Sequence, residues 1–303
     1  MPQRVRDEVD AIAGAPVVSA VNIDGGFSPG PAARCTLSDG RLVFVKAAGL
    51  ELNPFSPGMH RREGEVLATL GAGVPAPSLI GVFDDGDWVA LVVEWVDGQM
   101  PVAPLDQGDI DRLLRLVDRL SSTAGSDALE PCIEAHPGLS RHWQQLVEEP
   151  LDGLDTWTLH NLEALADLET DVAEAVRGDR LVHLDLRSDN IIFSALGELH
   201  DVIVDWPGAS LGAPWTDLVG LLPALELDGG PRPEDIFSHH AVGRAADPEA
   251  VNVFIATIAG YFTRMSLLPP PLGLPTVRQF QAAQGAIARR WLGQRCGWAP
   301  AKP

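Results

Sequence analysis

The stretch Leu181-Val-His-Leu-Asp-Leu-Arg-Ser-Asp-Asn-Ile-Ile-Phe193, followed by Leu199-His-Asp-Val-Ile-Val-Asp-Trp-Pro207, sets oxygen-bearing side chains at Asp185, Asn190 and Asp205. The apolar runs Ile191 to Phe193 and Val202 to Val204 read as the two strands of a hairpin. Asp185 and Asn190 then precede the first strand and Asp205 follows the second, so the three converge on one end. This set matches phosphoryl transfer, whose transition state is mostly charge on oxygen. Asp185 has the character of a base that orients an acceptor. Asn190 and Asp205 supply the hard oxygen ligands that Mg²⁺ requires.

The elements that must position these residues are readable on both sides of them. Val17 to Val21, Ala33 to Leu37 and Arg41 to Lys46 read as strands, the last two joined by an Asp39-Gly40 turn. A Pro- and Gly-rich stretch, Leu52 to Gly58, leads into a helix over His60 to Leu70, with Glu63, Val66, Leu67 and Leu70 on its inward face. Leu79 to Phe83 and Trp88 to Glu94 form a further hairpin across Asp84-Asp-Gly-Asp87, which is a turn and lacks the ligand pattern of a calcium loop. Helical texture begins after Asp97-Gly98, with Asp109 as N-cap and Ile110, Leu113, Leu114 and Val117 as an apolar stripe. Further helices are expected over Asp155 to Val176, closed by Gly178, and from Trp215, Pro248 and Thr276 onward. Lysine is confined to Lys46 and Lys302 in a chain that otherwise uses arginine, and Lys46 lies in an apolar strand. That placement marks a position where a compact ammonium is wanted.

Taken together, these residues resemble the protein-kinase-like superfamily and, within it, the aminoglycoside phosphotransferase branch. His183, Asp185 and Asn190 match the branch's His-x-Asp-x-x-x-x-Asn loop, and Gly212-Ala-Pro-Trp-Thr-Asp217-Leu is similar to its Gly-x-Pro-x-x-Asp-Leu continuation. The resemblance implies that Asp185 is the base, that Asn190 and Asp205 bind the metal, and that His183 and Asp217 brace the loop. It also implies that Lys46 grips the nucleotide phosphates with Glu63 as its partner, Glu65 being the rival on a different phase of the helix. Glu94-Trp95-Val96 takes the place of the hinge whose backbone reads adenine. Gly25, Gly26, Phe27 and Ser28 stand where a loop over the phosphates would lie, although Pro29 and Pro31 lack N–H donors and a plain turn also fits. Two departures are visible: Leu184 replaces the glycine usual after the loop histidine, and Trp206-Pro207 replaces the Phe-Gly of protein kinases. Switching of the protein-kinase type and a protein substrate are accordingly not expected.

Composition narrows the partners. Apolar residues make up 46% of the 303-residue chain and charged ones 21%, the balance of a globular protein with a sizeable core. With 22 basic against 42 acidic residues the net charge is −20, which repels nucleic acid. That charge serves solubility or attracts a cationic acceptor. Glu148, Glu149, Asp152 and Asp155 would favour a polycation, whereas the tail Gly297 to Pro303 lacks acidic residues. Cys35, Cys132 and Cys296 are widely spaced and read as free thiols, and the histidines lack the spacing of a zinc site. No apolar run spans a bilayer, and the charged start has no signal-peptide core, so a cytoplasmic monomer or weak homodimer is expected.

The resulting expectation is an α+β, bilobal protein-kinase-like fold. Residues 1–97 form a nucleotide-binding lobe with a small antiparallel sheet and one helix, and residues 98–303 a mainly helical catalytic and acceptor-binding lobe. The activity implied is transfer of the γ-phosphate of Mg-bound ATP or GTP to a hydroxyl of a small molecule, an aminoglycoside-like antibiotic or another metabolite. The alternative is a nucleotide-binding pseudokinase acting as a scaffold or sensor, against which the intact Asp185, Asn190, Asp205 and Lys46 stand. Asp185→Ala is expected to retain nucleotide binding and to lose turnover by about 10²- to 10⁴-fold. Undiminished transfer in steady-state assays of that variant would remove Asp185 from the mechanism.

Overall fold

A computed structural model describes residues 1–23, 30–271 and 274–298 of the chain. The Gly25, Gly26, Phe27 and Ser28 positions and Lys302 lie outside the described residues. The chain divides into two compact units, residues 1–100 with 189–208, and residues 101–188 with 209–303. The segment 189–208 thus belongs with the first unit, whereas a single cut at residue 97 leaves it with the second. Strand pairing explains the difference, because the hairpin in this segment extends a short strand at Gly98–Gln99.

In the first unit a five-stranded antiparallel sheet is built from β1 (Val17–Asn22), β2 (Ala32–Leu37), β3 (Leu42–Gly49), β4 (Leu79–Asp84) and β5 (Trp88–Glu94) in the order β1-β2-β3-β5-β4. Alternation along β3 sends Val43, Val45 and Ala47 to one face and Lys46 to the other. The first face is covered by α1 (Gln3–Ala13), which contributes Val5, Val9 and Ala13 to a common apolar core. This helix is additional to the single one expected from the sequence, and its apolar residues recur every four positions, one turn apart. The opposite face carries α2 (Ser56–Thr69). That helix begins earlier than its periodicity predicts, because Asn53 Oδ1 accepts the N–H groups of Phe55 and Ser56 at 2.8 and 3.0 Å and Pro57 enters its first turn. Gly64 brings α2 close to the sheet, since a Cβ there would lie 2.7 Å from Val82 Cγ2 and 2.9 Å from Leu91 Cδ2.

The first unit also holds β6 (Gly98–Gln99), which pairs with the strand Ile191–Ser194, itself paired with Val202–Ile203. This is the hairpin read from the sequence. The Val204 N–H donates to the Asn190 carbonyl at 2.8 Å and closes the end of the ladder where Asn190 and Asp205 stand.

The second unit is mainly helical: α3 (Gln107–Ser122), α4 (Cys132–Ala135), α5 (His142–Glu148), α6 (Thr156–Glu169), α7 (Val172–Ala175), α8 (Thr216–Leu227), α9 (Pro233–Phe237), α10 (Ala241–Ala245), α11 (Pro248–Ser266) and α12 (Val277–Arg295). The N-cap of α3 is Asp106, whose side chain accepts the Asp109 N–H, so Asp109 lies in the first turn rather than at the cap. The helix expected from Asp155 to Val176 is broken at Thr170-Asp171 into α6 and α7. Trp143 anchors the core, donating from Nε1 to the Ala256 carbonyl of α11 at 2.7 Å. No helix among the described residues is long and apolar enough to cross a membrane.

A two-stranded ribbon positions the loop that carries Asp185. Arg180–Val182 pairs antiparallel with Ser210–Gly212, so the residues entering the loop and those entering α8 leave from adjacent strands. Gly178 sits against this ribbon, and a Cβ there would lie 2.2 Å from the Gly212 carbonyl oxygen. Backbone cannot yield as a side chain can. Gly178→Ala is therefore expected to lower stability by about 1–3 kcal/mol, the usual cost of overpacking. Denaturant unfolding measures it, and an unchanged midpoint would show that the ribbon has slack.

Candidate active site

In the first unit, the position of Lys46 on the α2 side of β3 brings its ammonium to two carboxylates. It forms an ion pair with Glu63 Oε2 and another with Asp205 Oδ1 at 2.8 Å. Glu63 is 4% exposed and receives a hydrogen bond from the Trp206 N–H. Burial pushes the Glu63 carboxyl above its ordinary range, outweighing the nearby ammonium. For Lys46 burial is also the largest influence and acts downward, but Glu63 and Asp205 together hold the ammonium above its ordinary value. Glu65 lies on the exposed side of α2, near Arg62 at 3.9 Å. A buried ammonium between carboxylates is costly to break from one side, because the remaining charge is left unpaired.

Asp205 adopts a left-handed backbone conformation with φ +69°. The next residue explains how it is held: Trp206 is fully buried and donates from Nε1 to the Ile203 carbonyl at 2.7 Å. Asp tolerates this region better than most residues. His60, three residues before Glu63 on α2, is buried in the same cluster. Its imidazole is lowered to about 4, first by burial and then by Lys46, so it is neutral at physiological pH. The sequence reading passed over His60, although its i,i+3 relation to Glu63 places it on the same face.

Asn190 and Asp205 offer one amide and one carboxylate oxygen donor, and Asn190 is 6% exposed. Among the described residues no cluster of three or more His, Cys, Asp or Glu side chains could hold a metal. The two donors therefore fit a hard cation that keeps water and takes further oxygens from a phosphate, as Mg²⁺ does. Gly30 packs tightly on β3, where a Cβ would lie 2.3 Å from the Ala47 carbonyl oxygen. Glu94 ends β5, and Trp95 and Val96 lie outside any strand, with the Arg34 guanidinium 5.6 Å from the Trp95 ring centroid.

In the second unit, Asp217 stands in the first turn of α8 and is 4% exposed. Its two carboxylate oxygens accept the backbone N–H groups of His183 and Leu184, each at 2.8 Å. His183 is fully buried, and its Nδ1 lies 3.3 Å from the Asp185 N–H. Leu184 has φ +66°, a conformation in which a non-glycine residue is strained. Asp217 thus accepts from two consecutive backbone N–H groups, the second belonging to Leu184 itself. Asp185 is half-exposed and accepts from Arg187 Nη1 at 2.6 Å, while the Arg187 guanidinium lies 5.5 Å from the Phe280 ring centroid. Arg187 and Phe280 were not singled out from the sequence, because the contact that defines them joins the loop to α12.

Comparison with known families places the chain. The model of the phosphotransferase enzyme family matches residues 30–254. The chain belongs to this family. No curated protein sequence matches it significantly. Among solved structures, a choline kinase from Streptococcus pneumoniae is similar at 16% identity and TM-score 0.63, over 98% of this chain and 99% of the other. A thermostable mutant of an aminoglycoside phosphotransferase in ternary complex with ADP and hygromycin B is similar at 15% identity and TM-score 0.58, over 95% and 98% of the two chains. An amicoumacin kinase in complex with AMP-PNP and Ca²⁺ is similar at 13% identity and TM-score 0.54, over 100% and 96%. At these identities the likeness carries the fold, which is the kinase-like α+β fold expected from the sequence. As a member of its family, the chain is a small-molecule phosphotransferase.

The acidic residues expected to attract a polycation are partly committed elsewhere. Asp155 caps α6 by accepting the Thr158 N–H at 2.7 Å and pairs with Arg289 at 3.2 Å. Glu148 lies 3.8 Å from Arg141, and Glu149 and Asp152 are exposed.

The burial of Asp217 leads to an expected pH dependence. Burial raises its carboxyl from 3.8 to about 6, the N–H donors of His183 and Leu184 offsetting part of the shift. A raised carboxyl binds its proton more readily in the folded chain. Its contribution to stability is therefore complete below pH 3.8 and is lost as pH rises through about 6. Activity follows the opposite course, since a charged acceptor forms the stronger hydrogen bonds to the loop. The kcat profile is expected to fall with an inflection near 6 on acidification, without loss of stability from this group. Asp217→Asn should lower kcat and remove that inflection while thermal unfolding shows the fold intact.

Proposed function

We propose that this phosphotransferase moves the γ-phosphoryl group of ATP or GTP to a hydroxyl of a small organic molecule, with Asp185 accepting the hydroxyl proton. The observation that carries the proposal is the buried Lys46 ammonium held by Glu63 beside Asp205. Fixed by Glu63, Lys46 presents its charge in one geometry to the nucleotide phosphates. Asn190 and Asp205 hold Mg²⁺, which when bound neutralises the charge developing on the phosphoryl oxygens. The backbone at Glu94 and Val96 receives the base, and Gly25, Gly26, Phe27 and Ser28 are assigned to phosphate contact from the sequence alone. Asp217 and His183 keep the loop in the shape that aims Asp185 at the acceptor. In this reading residues 1–97 serve the nucleotide, and residues 98–303 serve catalysis and the acceptor. The nucleotides bound in similar structures, ADP and AMP-PNP, support the nucleotide reading.

The test is Mg-dependent consumption of ATP and of GTP in the presence of hydroxylated and amine-bearing acceptors. Transfer to a hydroxyl, with slow hydrolysis when no acceptor is supplied, is the expected result. Nucleotide binding with neither transfer nor hydrolysis would replace the enzyme by a nucleotide-binding scaffold or sensor.

A further inference from the structure

The loop that carries Asp185 is held at a second point. The Ser188 hydroxyl, three residues beyond Asp185, donates to Asp228 Oδ2. Asp228 is the C-cap of α8, and Asp217, which accepts the N–H groups of His183 and Leu184, stands in the first turn of the same helix. Eleven residues separate the two acids, about three turns at 3.6 residues per turn, so both project from one face of α8. Pro223 sits within the helix without ending it. The rise between the acids is about 16 Å. Leu184 and Ser188 are four residues apart, a reach of about 13–14 Å when fully extended. The loop therefore meets both carboxylates by running close to its full length, and residues 185–187 contain no turn or regular structure. Asp185 sits in a segment tied at each end to one helix.

Asp228 leaves from a fixed backbone. The Gly229 N–H donates to the Glu226 carbonyl at 3.1 Å and the Gly230 N–H to the Leu225 carbonyl at 2.9 Å. With Gly229 at φ +93°, these are the paired bonds of a left-handed glycine cap. The Asp228 carbonyl also accepts the Leu105 N–H at 3.0 Å, and Leu105 is buried. The sign of the residue is informative. A helix C-terminus carries partial negative charge and favours cations, so an aspartate at this cap opposes the helix dipole. Helix stability does not account for an acid here. A charged acceptor for the Ser188 hydroxyl does, since such a bond is stronger than a neutral one.

We propose that Asp228 is a positioning residue for phosphoryl transfer, acting through Ser188 to fix the far end of the loop and so the aim of Asp185 at the acceptor hydroxyl. The inference rests on the proposed role of Asp185 and deepens it. Asp217 restrains the loop before Asp185, and Asp228 restrains it after. Nucleotide binding is left alone, because the Lys46 cluster belongs to the other unit.

The experiment compares Asp228→Asn, Ser188→Ala and the double variant with the wild type in Mg-dependent nucleotide turnover, read as transfer to a hydroxylated acceptor or as slow hydrolysis. Each single variant should lower kcat roughly tenfold, the loss of one charge-assisted hydrogen bond, with nucleotide KM unchanged. The double variant should be no slower than the singles, because both groups act through one bond. Losses that add in the double variant, or a kcat equal to that of the wild type, would overturn the inference and leave the proposed function standing. Thermal unfolding shows which variants stay folded. Should Asp228→Asn unfold early, Ser188→Ala decides: a lowered kcat at intact stability supports the inference, and an undiminished one overturns it. Absence of turnover in the wild type would instead overturn the proposed function. Hydrogen exchange of the peptide spanning residues 183–188 then decides for the loop anchor, faster exchange in both single variants supporting it and unchanged exchange overturning it.

Discussion

An ammonium cannot be taken out of water without partners, and much of the first unit is arranged around that requirement at Lys46. The strand alternation that sends Val43, Val45 and Ala47 into the core shared with α1 also turns Lys46 toward α2. One carboxylate then comes from α2 and another from the segment after the Val202–Ile203 strand. Three chain segments far apart in sequence are tied to one charge. The Trp206 N–H on Glu63 and the buried Trp206 ring hold the third segment in place. Any phosphate that reaches Lys46 competes with carboxylates already fixed in position, so the pair is ordered before a ligand arrives.

The second unit meets a comparable demand with a negative charge. Asp217 is buried at the start of α8, and two backbone N–H groups are its compensation. Helix N-termini favour carboxylates, which adds to the effect of the two donors. The same bonds restrain the backbone entering Leu184, whose left-handed conformation carries no glycine to relieve it. The strain at that residue, of order 1–3 kcal/mol, is offset by hydrogen bonds donated to a charged acceptor. Cys132 registers the same charge: burial and Asp217 push its thiol up to about 12, which leaves it protonated and unreactive.

Net charge does not by itself name an acceptor. A value of −20 describes the whole chain, whereas recognition depends on the few groups near the reacting atoms. Asp155, which looked available to a polycation, is occupied by a helix end and by Arg289.

By itself the sequence determined the elements with strong periodicity, the order of the loop residues, and the singular position of Lys46. The strands, the hairpin before Asp205 and the helices starting near Trp215, Pro248 and Thr276 follow from local patterns of side-chain size and polarity. The resemblance read from His183, Asp185, Asn190 and Asp217 named the family whose model matches residues 30–254. Only the tertiary structure decided that α1 covers a sheet face, that His60 joins the Lys46 cluster, and that Arg187 and Phe280 meet beside Asp185. Those relations join residues distant in the chain, and local patterns carry no record of which buried charge a distant segment will compensate.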